Sequence, residues 1–148
     1  MINCSIQKTK DVAHFDALIR LFEEVFEMKD FVMPPADHLE RLLARDDFFV
    51  FVVLRDGEVI GGLTSYTLRQ YYSTSPLVYI YDLAVATAYQ RKGIGKMLIA
   101  AIQNYCKNIG VEEVFVQADV ADDYALDFYR STGATGEDVV HFYYPLKS

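Results

Sequence analysis

A chain of 148 residues is the length of one ordinary domain, and 52% hydrophobic with 14% aromatic residues is enough for a dense core without staples. The formal charge of −7 argues against a nucleic-acid partner, whose phosphates need a basic footprint, and leaves room for a cationic one. No stretch approaches the roughly 18 apolar residues of a membrane span, the first residues carry no secretory pattern, and Cys4 and Cys106 form no motif, so the reading is a cytoplasmic chain with reduced thiols and no metal site.

Asn3 to Lys8 is an opening strand. From Val12, the positions Phe15, Leu18, Ile19, Phe22, Val25 and Phe26 recur at helical spacing, with Asp11 as N-cap. Pro34-Pro35 cannot continue a helix, and a short second one follows over Asp37 to Ala44. Phe48 to Leu54 is an apolar β-rich run that Asp56-Gly57 turns into a hairpin with Val59 to Leu68. Gly61-Gly62 inside that second strand indicates a bulge or a close backbone approach.

Leu77 to Val85 is apolar except for Asp82, the pattern of a strand inside a sheet. After Gln90-Arg91-Lys92-Gly93-Ile94-Gly95 comes a helix with Leu98, Ala101, Ile102, Tyr105 and Ile109 on one stripe, ended by Gly110. Val114 to Ala118 is a buried strand, Ala125, Phe128, Tyr129 and Thr132 share a face of a short helix before Gly133, and Val139 to Tyr144 closes the chain as a strand. The order β-α-α-β-β-β-α-β-α-β is that of a mixed α/β domain over residues 1–148, a mixed sheet flanked by about four helices.

The segment from Gln90 to Lys96 carries the chemistry. A loop ending at a helix N-terminus presents unpaired N–H groups at the positive end of the dipole. Glycines at 93 and 95 let a phosphate approach the main chain, and Arg91, Lys92 and Lys96 add positive charge to an acidic chain. Hydrogen bonds to a charged group contribute ~1.5–3 kcal/mol each, so three or four amides supply much of a micromolar affinity of about 8 kcal/mol. The bland alternative is a pair of turn glycines beside solvent-facing basic residues.

Gln90-x-x-Gly93-x-Gly95 after a Leu-Ala-Val strand resembles the acetyl-coenzyme A motif of the GNAT N-acetyltransferase superfamily. Ala125-Leu126-Asp127-Phe128-Tyr129, followed by Gly133, is similar to that superfamily's second signature. The resemblance implies that the amides from Arg91 to Lys96, Ile94 among them, hold the pyrophosphate of acetyl-CoA. It also implies that Leu83-Ala84-Val85 pairs with the pantetheine arm as a strand would, which needs an unpaired edge.

Tyr79 to Val85, Val116 to Asp123 and His141-Phe142 resemble the small aminoglycoside 3-N-acetyltransferases of the superfamily. That narrower resemblance implies transfer to the 3-amino group of an aminoglycoside. A polyamine, a peptide or a small amine are the alternative acceptors, and a non-catalytic acyl-CoA-binding module is the alternative class. The resemblance also admits a homodimer, with the closing strand pairing across the interface. Leu77 stands where some members place a glutamate base, so the base lies elsewhere here.

Asp82, Asp119, Asp122 and Asp123 fall at or beyond the C-terminal ends of strands, where open α/β sheets bind ligands, and would attract a polycation. For Asp122 or Asp123 the competing role is to cap the following helix. The implied reaction is direct attack of a neutral amine on the thioester. Asp82 is the first choice of base, Asp119 the second and His141 the third. The backbone N–H near Leu83 or Val85 is the oxyanion donor, and Tyr129 gives a proton to the departing thiolate, unless it is a plain core tyrosine. Cys106 lies mid-helix without a histidine partner and is rejected as a nucleophile.

Overall fold

A computed structural model of the chain describes residues 3–147. They divide into two compact units, one ending at Gln117 and one beginning at Ala118. The first contains β1 (Ser5–Thr9), α1 (Val12–Val25), α2 (Ala36–Ala44), β2 (Phe48–Arg55), β3 (Glu58–Leu68), β4 (Leu77–Val85), α3 (Ile94–Asn108) and β5 (Glu113–Val116); the second contains α4 (Asp123–Ser131). The mixed α/β class and the element order through α4 are as expected from the sequence.

The sheet of the first unit runs β1-β2-β3-β4-β5, antiparallel except for the parallel pair β4 and β5. The period-2 alternation of β2, with both faces covered, explains why it is apolar from Phe48 to Leu54. Phe48, Val50 and Val52 join Phe15, Leu18 and Phe22 of α1 and Leu39 and Leu43 of α2 in one core. Phe49 and Phe51 face the other way, with ring centroids 5.3 and 5.7 Å from Tyr105 of α3. Helices thus cover both faces of the sheet, and β2 is their shared floor.

Local chemistry sets the boundaries. The Asp11 carboxylate accepts from Ala13 N at 2.8 Å and starts α1. Asp56 and Gly57, with φ of 50° and 80°, make the tight turn between β2 and β3. Both readings of the glycine pair hold. The ladder shifts register where Gly61 and Val59 face Val53 and Leu54, and a Cβ on Gly62 would lie 2.5 Å from the Phe51 carbonyl oxygen and 2.7 Å from the Leu18 side chain. Only glycine lets α1 lie that close to β3.

One element departs from expectation. Val139–Tyr144 is in no strand ladder, and its large apolar side chains are exposed. A strand is defined by its partner, and among the described residues this segment has none.

Candidate active site

β4 is central to the site because its two edges are treated differently. Its β3 edge is paired along the whole strand, from Leu68↔Leu77 to Gly61↔Val85. Its β5 edge is paired only from Leu77 to Ile80, because β5 ends at Val116. The edge of Tyr81–Val85 is left without a β5 partner, which is the open edge that strand-like recognition requires. Leu83, Ala84 and Val85 lie on it.

A bulge sits where this opening begins. Thr64 pairs with Asp82 but Ser65 with Ile80, so Tyr81 is the extra residue. Such bulges re-aim side chains next to sites. The Tyr81 ring lies 5.7 Å from Tyr66 and 5.9 Å from Tyr79, and Tyr79 stacks on Phe115 at 4.9 Å. Asp82 follows directly.

Asp82 is half-buried, and none of the described residues gives its carboxylate a hydrogen bond or an ion pair. Burial alone pushes its pKa up from 3.8 to about 6. The tyrosine hydroxyls register the same surroundings. Burial raises the pKa of Tyr66 and of Tyr79, and the neighbouring Tyr81 and Asp82 raise both further. Asp82 is therefore a carboxylate beside tyrosine rings, basic enough to take a proton near neutrality.

The glycine loop lies just past the end of β4. Thr87–Tyr89 forms a single 3-10 turn, and the Gln90 side-chain amide donates to the Val85 carbonyl at 3.0 Å, tying the loop to the strand end. Arg91 and Gly93 take left-handed φ values of 61° and 84°, and Gly93 is the N-cap of α3. No side chain caps this helix, so the amides of Ile94, Gly95 and Lys96 keep their capacity for an anion. A Cβ on Gly93 would meet nothing within 4 Å, so the space above the loop is open. Lys92 and Lys96 are exposed beside it. The donor set suits a pyrophosphate.

The remaining candidates belong to the second unit. Asp119 accepts from Ala121 N at 2.8 Å and Asp122 from Ala125 N at 3.0 Å, so the first fixes a turn and the second caps α4. The capping alternative applies to Asp122, while Asp123 occupies the first turn, where the dipole favours a carboxylate. Both carboxylates are exposed, as is His141. Tyr129 is half-buried on α4, its ring 5.0 Å from Phe128. Cys106 is buried with its thiol pushed up to about 11, which agrees with its rejection as a nucleophile.

Sequence reasoning missed Tyr66 and the role of the bulge. The signal available was Tyr79-x-Tyr81 just before Asp82; strict alternation would set both rings apart from the carboxylate, and only the extra residue brings them together. A cleft of about 550 Å³ lined by Arg69, Tyr71, Tyr72 and Pro76 lies at the opposite end of β4.

Comparison with known proteins fits this geometry. Residues 15–134 match the acetyltransferase (GNAT) family. The chain belongs to that family. It is similar to an aminoglycoside acetyltransferase from an uncultured soil metagenomic sample, solved in complex with sisomicin, at 56% identity and a TM-score of 0.96 over 97% of each chain. It is 30% identical over 119 residues to an aminoglycoside N(6')-acetyltransferase type 1 of Stenotrophomonas maltophilia, covering 76% of this chain and 77% of that one. A protein of the same description from Salmonella typhimurium is 25% identical over 107 residues, covering 70% and 74%.

Proposed function

We propose that the chain is a single-domain, cytoplasmic, acetyl-CoA-dependent N-acetyltransferase whose acceptor is an aminoglycoside. The observation that carries this reading is Asp82, an unpaired half-buried carboxylate raised to about 6, at the start of the open β4 edge and on the strand that leads to the uncapped α3 N-terminus. A donor laid along that edge has its pyrophosphate at Gly93–Lys96 and its thioester toward the bulge, near Asp82.

In this reading Asp82 removes a proton from the acceptor ammonium, directly or through a water. The free amine forms the N–C bond as the C–S bond breaks, the N–H of Leu83 or Val85 stabilises the carbonyl oxygen, and the thiolate takes a proton from Tyr129. Asp119 is the second choice of base and His141 the third, and Asp119, Asp122 and Asp123 are the carboxylates proposed for further ammonium groups of the acceptor. The family match over residues 15–134 supports the donor, and the relatives' acceptors support the aminoglycoside.

The position acetylated is a finer matter. The motif resemblance points to the 3-amino group, whereas the relatives whose names state a position are N(6') enzymes, which favours the 6'-amine. The experiment is a thiol-release assay with acetyl-CoA against aminoglycosides bearing both amines, polyamines and peptide amines, with product regiochemistry by NMR. Acetylation of an aminoglycoside is expected. Acetylation of spermidine or a peptide alone would leave only the acetyltransferase reading, and donor binding with no turnover would leave a binding module.

A further inference from the structure

We infer that Arg55, at the end of β2, is a positioning residue for the acyl donor. Its guanidinium lies over the Tyr89 ring and, through that ring, holds the loop before α3 in the shape that presents its amides. The role rests on the proposed use of acetyl-CoA. Arg55 Cζ sits 5.3 Å from the centroid of Tyr89, the residue that closes the 3-10 turn Thr87–Tyr89. Both residues are half-buried.

Three ties hold the stretch from Ala86 to Gln90, each from a different strand. The Ala86 amide donates to the Ile60 carbonyl of β3 at 2.8 Å, and the Gln90 side-chain amide donates to the Val85 carbonyl of β4 at 3.0 Å. These fix the two ends, and Arg55 of β2 bears on the turn between them. That turn is weak by itself. Hydrogen bonds of a 3-10 turn are poorer than those of an α-helix, and here Gln90 N reaches Thr87 O only at 3.3 Å. Directly beyond it Arg91 is left-handed, with φ of 61°, a conformation that a non-glycine residue keeps where its surroundings impose it.

The support is stiffer than what it supports. Asp56 and Gly57 make a tight turn, and Arg55 pairs with Glu58 directly across it. One step earlier Ile60 is the extra residue of a bulge, since Leu54 faces Val59 and Val53 faces Gly61, and a bulge bends the strand that carries it. Among the described residues Arg55 has no ion pair, so no carboxylate draws its guanidinium off the ring. A planar cation over an aromatic face is held by the ring quadrupole, and a lysine ammonium reproduces that contact only in part.

Titration calorimetry of the full chain with CoA, which carries the pyrophosphate without the reacting acyl group, tests the role. Arg55→Met and Tyr89→Leu should each weaken binding roughly three- to thirtyfold, the span of a partly desolvated cation–ring contact, and the double variant no more than either alone. Arg55→Lys should recover part of the loss. Lys8→Met takes a cation off another ring, that of Tyr105 at 5.7 Å, and should leave CoA binding unchanged. In turnover, Arg55→Met should raise the KM for acetyl-CoA while kcat and the acceptor KM hold. A parent that binds no CoA would sink the donor reading and this role with it. With a parent that binds, an Arg55→Met chain of equal affinity, additive losses in the double variant, or the same loss in Lys8→Met would each overturn the positioning role alone.

Discussion

Replacing Asp82 with asparagine should make the protein more stable and less active at the same time. In the unfolded chain the carboxyl titrates near 3.8, and in the fold near 6. Between those values the folded chain holds a proton that the unfolded chain has lost, so the stabilisation from the neutral form is complete below 3.8 and disappears as pH rises to about 6. At about 1.4 kcal/mol per pH unit the full shift corresponds to about 3 kcal/mol at pH 7, an upper bound that solvent screening on the exposed side of the carboxylate reduces to roughly 1–2 kcal/mol. Asparagine is nearly isosteric and uncharged, so Asp82→Asn should raise the thermal midpoint at pH 7 by roughly 2–8 °C and by almost nothing at pH 3.5. The parent's kcat/KM should climb through pH 6, because about one-tenth of the carboxyl is ionised at pH 5 and about nine-tenths at pH 7. The variant should lose that limb along with at least two powers of ten in rate. Calorimetric melts at the two pH values and a pH–rate profile check both. A variant no more stable than the parent at pH 7, or one active to within threefold, would refute the account of this carboxylate.

Three other substitutions test the rest of the site. Gly93→Glu should abolish acetyl-CoA binding, measured by calorimetry, while far-UV circular dichroism still reports a folded chain, since the new carboxylate enters the open space above the loop. Tyr129→Phe should lower kcat by roughly 10²–10⁴-fold and leave donor affinity unchanged, if the hydroxyl supplies the thiolate's proton. Asp122→Ser keeps the α4 cap but removes the charge. Its melting temperature should stay within a few degrees of the parent's while the KM for a polycationic acceptor rises, an effect that added salt should shrink.

How much was legible depended on whether the deciding interaction was local. The Asp11 cap, the Asp56-Gly57 turn and the apolar run of β2 are carried by neighbours in sequence, and the elements formed where those residues put them. The anion loop was readable for the same reason, since a glycine N-cap and an uncapped first turn are properties of consecutive residues. Asp82 was visible as a lone carboxylate in an apolar strand. Its tyrosine neighbours were not, because Tyr66 comes from β3 and the bulge at Tyr81 exists only as a mismatch between two strands. The same limit applies to 139–144. Its sequence has every feature of a strand, but a strand needs an edge to join, and edges are not written in the segment that seeks them.

The seven residues from Phe48 to Leu54 contain no charge, proline or glycine, which makes β2 the stretch of this chain best suited to pairing with copies of itself. In the native sheet it is walled in, by β1 from Ser5↔Leu54 to Thr9↔Val50 on one side and by β3 on the other. Charges stand at both ends, Asp46 and Asp47 before it and Arg55 and Asp56 after, as gatekeepers do around a hazardous segment. β1 thus has a duty unrelated to substrates. It is a short, polar sash over the stickiest strand, and loss of those few N-terminal residues would expose the raw edge of β2 and turn a folding problem into an aggregation problem.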